Sequence, residues 1–121
     1  MTTLKMLAEL SPQLDDFVGK HVNNFVKWDL VVHFYEHREV VVTSHEIATR
    51  LGRRSEDVDS ALADLVDSEI LRKEDTGADP VYSFRADGPR LSLVTDFVDA
   101  LDSREQRLQI LTKLLRLGAR G

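Results

Sequence analysis

The stretch Thr43–Leu71, TSHEIATRLGRRSEDVDSALADLVDSEIL, constrains the fold more than any other part of the chain. It opens on Thr43-Ser44-His45-Glu46, a T-x-x-E capping box. The Thr43 hydroxyl can accept from the Glu46 N–H while the Glu46 carboxylate reaches back to the Thr43 N–H. Val42 and Ile47 flank the box at the spacing of a hydrophobic staple. Ile47, Ala48 and Leu51 form an apolar stripe at helical spacing. Gly52 stands where a helix C-terminus calls for positive φ. A second helix is expected from Ser55, with Ser55 as its cap and Val58, Ala61, Leu62, Leu65 and Val66 inward. Two short helices joined by a tight turn at Leu51–Arg54 therefore sit at the centre of the chain.

Strands flank this pair. Val40-Val41-Val42 is β-branched and short, and reads as a small strand. Ile70–Glu74 reads as a strand, Asp75–Pro80 as a turn and Val81–Arg85 as a returning strand. The arrangement resembles a winged helix-turn-helix, with small Ala48 at the close approach of the helices, Gly52 in the turn, and Val58 and Ala61 packing back on the first helix. The resemblance runs from roughly Phe25 to Arg85, at superfamily level. It implies a mainly α fold with a small β-wing, flanked by N- and C-terminal helices. Residues 1–22 then form an N-terminal helical extension, 23–86 the winged unit, and 87–121 the C-terminal helices.

Before the pair, Leu4–Leu10 reads as a short amphipathic piece. Ser11-Pro12 opens a helix, with Asp15 and Asp16 suiting its positive end and Gly19 as its expected stop. Asn23 or Asn24 caps the next helix. Phe25, Trp28, Val31, Val32 and Tyr35 follow helical spacing as its inward stripe, with Phe34 flanking. After the strands, Gly88-Pro89 opens a helix with Leu91, Val94, Phe97, Val98 and Leu101 on one face. Asp102 with Glu105, and Ser103 with Gln106, are overlapping capping boxes that predict a restart near Ser103. A single helix is the alternative, because Val94, Leu101, Leu108 and Leu115 repeat every seven residues. Gly118 and Gly121 are the expected helix end, with fraying beyond.

The terminal helix holds Leu108, Leu111, Leu114, Leu115 and Leu117, more than one narrow face can bury. A homodimer is expected through this helix, with Val94 and Phe97 completing the contact. Packing of the helix back on Trp28 and Phe34 of its own chain is the alternative.

Charge decides between functions. The 121 residues carry 16 basic and 21 acidic side chains, a formal net charge of −5, whereas a DNA-binding domain usually shows a basic face. Between residues 41 and 86, six basic residues stand against ten acidic ones. The resemblance implies DNA binding, with a recognition helix over Ser55–Ser68 in the major groove. Arg50, Arg53, Arg54, Arg72 and Lys73 would contact phosphates, and Ser55 and Ser60 would face the DNA. Helical spacing, however, turns Glu56, Asp59, Asp64 and Asp67 outward on that same helix, where carboxylates repel phosphates. A winged helix recruited to bind a protein through these four residues is the second reading.

Other chemistry is weak in this sequence. His33-Phe34-Tyr35-Glu36-His37 matches H-x-x-E-H, and His33 and His37 share a helix face at zinc-ligand spacing. No third ligand follows at family spacing. His33 and His37, with His45 as a further weak candidate, are read as exposed histidines at a helix end, and no metal or cofactor is expected. The scattered glycines form no phosphate loop and no nucleophile elbow is present, so no enzymatic activity is expected. With no cysteine, no disulfide framework exists. No apolar run reaches membrane-spanning length, and a cytoplasmic protein is expected.

Overall fold

The computed structural model describes residues 10–118. It is mainly helical, with one small antiparallel sheet. The elements are α1 (Pro12–His21), α2 (Phe25–Glu36), β1 (Val42–Thr43), α3 (Ser44–Leu51), α4 (Ser55–Asp67), β2 (Leu71–Glu74), β3 (Val81–Phe84), α5 (Gly88–Ala100) and α6 (Arg104–Arg116). The amphipathic reading of Leu4–Leu10 lies, but for Leu10, outside the described residues, as does Gly121.

Local chemistry sets most helix starts. The Ser11 hydroxyl accepts from Leu14 N at 3.1 Å, and the Asn24 side chain accepts from Lys27 N at 2.8 Å. The Thr43–Glu46 box closes in both directions, at 3.2 and 2.9 Å. Gly52 ends α3 at φ 64°, in the left-handed region that glycine enters without steric cost. Ser55 is not the cap of α4. The turn places Arg53 N on Ala48 O at 3.0 Å, which leaves Arg54 extended at φ −73°, ψ 137° as the N-cap, without a side-chain cap bond. Glu56 and Asp57 in the first turn complement the helix dipole instead.

Gly19 does not stop α1, which continues to His21. A β-carbon there would come within 3.1 Å of Lys113 Cε, and Lys113 Nζ reaches Asp15 at 3.1 Å. The glycine makes room for a lysine arriving from the other end of the chain.

The sheet order is β1-β3-β2. Register pairs Leu71 with Phe84 and Glu74 with Val81 across the hairpin, and Val42 with Tyr82 on its other side. β1 lies later than Val40–Val42: pairing occupies Val42 and Thr43, and Val41 is exposed. Two further bonds tie the hairpin down, from Arg85 N and Ala86 N to Ile70 O.

One contiguous core runs from Leu14 to Leu114 and draws on every helix. Its largest fully buried side chains are Phe17, Phe34 and Phe97. Phe17 lies 6.5 Å from Phe97, and Trp28 meets Phe97 edge-on at 6.1 Å. The inward stripe of α2 differs from the expected one. Val26, Lys27, Leu30, Val31 and Phe34 are buried, while Phe25, Trp28, Val32 and Tyr35 pack at the margins.

α5 and α6 are separate helices. The chain turns at Leu101–Ser103, where the Ser103 hydroxyl accepts from Gln106 N at 3.3 Å. Arg107 donates to the Leu101 carbonyl at 2.8 Å and covers the break. The seven-residue repeat therefore does not continue through one rod. Val94 and Phe97 are fully buried in the core, so they are not available as dimer surface. α5 packs on α1 and α2, where Phe97 meets Phe17 and Trp28. Gly118 follows α6 at φ 79°. No helix among the described residues is long and apolar enough to cross a membrane.

Candidate interaction surface

α4 lies on α2 and α3 through Val58, Ala61, Leu62 and Leu65, all buried. The opposite face is exposed and carries Glu56, Asp59, Ser60, Ala63, Asp64 and Asp67. The structure thus brings the four carboxylates onto one solvent-facing surface, with Ser55 exposed at its N-terminal end.

The cations expected to contact phosphate are not equivalent. Arg53 turns away from this surface. Its Nε and Nη2 both reach Asp29 Oδ2, at 2.8 and 2.6 Å, against α2. Arg54 pairs with Glu56 at 3.2 Å, fully in solvent, where such a pair contributes about 0–1 kcal/mol. Arg85 approaches Glu69 at 3.7 Å. Arg50, on α3, and Arg72 and Lys73, on β2, are exposed and form no ion pair among the described residues. Sheet alternation points Arg72 and Lys73 to opposite faces of the hairpin.

Lys27 was not singled out by the sequence, yet it fixes one edge of the acidic face. It is only 6% exposed. Its ammonium donates to Asn23 Oδ1 at 3.0 Å and pairs with Asp64 Oδ2 at 2.8 Å. A buried ammonium requires such partners, because an uncompensated charge in the interior costs several kcal/mol. Asp64 is therefore engaged by the fold, whereas Asp59 and Asp67 make no ion pair among the described residues. One signal was legible: Lys27 shares helical spacing with Val31 and Phe34, so any helix that buries those two also buries Lys27.

Beside Lys27 a polar groove of about 470 Å³ lies between the end of α4, the end of α1 and the start of α5. His21 and Arg90 line it, with Asp67, Ser68 and Glu69 opposite. His21 Nδ1 lies 2.9 Å from Ser68 Oγ. Burial, then the positive charges of Arg90 and Lys20, lower the His21 pKa below its ordinary 6.5. Glu69 adopts φ 64°, the left-handed region a non-glycine residue seldom enters.

His33 and His37 do come together, but not as ligands facing one ion. Their rings stack at 4.6 Å with 27° between planes. His37 Nδ1 donates to the His33 carbonyl at 3.0 Å. His33 Nε2 is buried without a hydrogen-bond partner. Burial and the neighbouring His37 and Arg50 lower the His33 pKa. No group of three or more His, Asp or Glu side chains that could hold a metal ion occurs among the described residues.

On α6, Ile110 and Leu114 are fully buried. Leu108, Leu115 and Leu117 are 49%, 59% and 52% exposed, and Leu111 is half-buried between them. The chain matches no family model, no curated protein and no solved structure.

Proposed function

We propose that this chain is a winged helix-turn-helix module of the transcription-regulator type, and that the outward face of α4 docks a basic protein surface. The element order α2-β1-α3-α4-β2-β3 supports the fold assignment, with the Gly52 turn between the helices and the β2–β3 hairpin as the wing. The single observation that carries the partner is the charge of α4. Glu56, Asp59, Asp64 and Asp67 all face solvent, while Arg53 at the helix entrance is held by Asp29. A helix entering the major groove with that face would bring carboxylates toward two phosphate backbones, and several like charges at close range oppose binding. A lysine- and arginine-rich protein surface meets the same face with complementary charge, which favours encounter and register.

Arg50, Arg72 and Lys73 favour a second reading, in which DNA is contacted through α3 and the wing. These three cations stand clear of the carboxylates that engage Arg53, Arg54 and Arg85. Neutralising three phosphates supports only weak, strongly salt-dependent association, with a slope of about 0.9 per phosphate contact. Titration of labelled random and promoter-derived duplexes at about 50 mM salt, where electrostatic binding is strongest, separates the readings. The protein-docking reading expects no binding to any duplex. Binding that weakens and loses salt slope in Arg72→Ala/Lys73→Ala would replace it with the DNA reading.

A further inference from the structure

We infer that the outer stripe of α6 is a self-association seam that takes a second copy of this chain, running antiparallel. This is independent of what α4 contacts. The stripe consists of Arg104, Leu108, Leu111 and Leu115, spaced by four, three and four residues. That is the spacing of the seam along which two helices interlock side chains. The inner face of α6 is already spent on the core, through Ile110 and Leu114. The stripe is therefore a second apolar face on a helix whose first one is satisfied, and about half of Leu108 and more of Leu115 lie in solvent.

Charge selects the occupant and its direction. Along one flank of the stripe lie Glu105 and Arg116, near opposite ends of α6. In an antiparallel pair with a two-fold axis, equivalent flanks face each other. An axis level with Ile110 and Leu111 sets Glu105 opposite Arg116 of the second copy, and Arg116 opposite its Glu105. The same placement drops Leu108 into the gap between Leu111 and Leu115 of the second copy. A parallel two-fold pair would instead set the Glu105 and Arg116 flank against the opposite flank of the second copy, where Arg107 lies, and would leave Arg116 without a carboxylate partner. On the other flank, Arg107 is turned back onto the Leu101 carbonyl of its own chain at 2.8 Å, which keeps its charge out of the seam. The Glu105 and Arg116 flank is thus complementary to itself in charge.

One other occupant is available within the chain. Leu10 N donates to Gln109 Oε1 at 3.2 Å, so Leu10 lies beside this helix. The experiment distinguishes the two. Sedimentation of the full-length protein at tens of micromolar is expected to give the mass of a dimer. Glu105→Arg and Arg116→Glu are each expected to weaken the dimer at least tenfold, and the double exchange to restore it. Both positions are exposed, so circular dichroism of each variant should match the parent. The cysteine-free chain allows a direct test of position. Leu111→Cys, close to the axis, is expected to form a disulfide-linked dimer under mild oxidation, while Val41→Cys, more exposed than Leu111 but just before β1, is not. A monomeric parent overturns the proposal, as does a dimer that fails to link at Leu111→Cys. So does a dimer that the double exchange leaves unrestored. A Leu7→Cys/Leu111→Cys variant that closes an internal disulfide in a monomeric protein would assign the seam to the chain's own N-terminal residues.

Discussion

α4 and α6 are helices of equal length, thirteen residues each, that meet the core differently. α4 buries four apolar side chains and leaves serine, alanine and carboxylates outside. α6 buries two, and leaves leucines and arginines outside. The acidic face of α4 is at equilibrium with water and needs no cover; what it offers is charge. The outer stripe of α6 loses free energy to water at every exposed leucine, by about 25 cal/mol per Å² of apolar surface. The two helices thus suit different encounters, one steered by electrostatics and one driven by apolar burial.

The largest expected effect tests the inner faces. Leu65→Ala should cost about 2–5 kcal/mol, because it empties a fully buried position. Leu115→Ala should change the stability of the isolated chain by less than about 0.5 kcal/mol. Urea unfolding at a concentration too low for association measures both. Equal losses would mean that α6 is covered by its own chain and that the contrast between the helices is false.

Next is the junction that positions α4. Ala48 is 2% exposed where α3 meets α4, and Ala48→Phe should overpack it at a cost of about 1–3 kcal/mol. A variant that melts with the parent protein would contradict this helix packing.

A smaller effect sharpens the reading of the acidic face. Asp64→Asn removes the charge partner of the buried Lys27, whereas Asp59→Asn removes a solvated charge. The first should cost about 1–2 kcal/mol, below the value for a fully buried pair because Asp64 is half exposed. The second should stay within about 0.5 kcal/mol. If both are silent, Lys27 is satisfied by Asn23 and water, and Asp64 is as available to a partner as Asp59.

The smallest effect is in pH. The His21 and His33 pKa values are lowered in the fold, so between the folded and unfolded values the unfolded chain binds more protons. Stability should then rise with pH in that window: full above the unfolded value of 6.5, and reduced as pH falls below it. Glu46 is lowered too, first by the Thr43 backbone N–H, so its contribution is present above the unfolded carboxylate value and lost as pH falls through the folded one. Thermal melts between pH 4 and 8 of the parent and His21→Gln check the histidine part. An unchanged slope in the variant would remove His21 from it.

Signals that act within a few residues were legible in the sequence. The Thr43–Glu46 box, the Ser103 cap, the Gly52 turn and a cap at Asn23 or Asn24 all follow from groups that meet their partners inside one turn of chain, and the hairpin between Leu71 and Phe84 follows from two β-rich runs on either side of a short turn. The outward set Glu56, Asp59, Asp64 and Asp67 followed as well, because helical periodicity places it opposite Val58, Leu62 and Leu65. Tertiary structure decided everything that depends on a distant partner. It turned the face of Val26, Lys27, Leu30, Val31 and Phe34 on α2 inward and left Phe25, Trp28 and Tyr35 at the margins. It carried α1 through Gly19 to His21, and it brought Lys113 against that glycine. It drew Arg53 to Asp29, 24 residues away in the chain, and out of the predicted contact surface. It buried Val94 and Phe97, broke the helix at Leu101–Ser103 and left Leu108 and Leu115 outside. Periodicity states which residues share a face of a helix; which face turns inward is settled only when the other helices arrive.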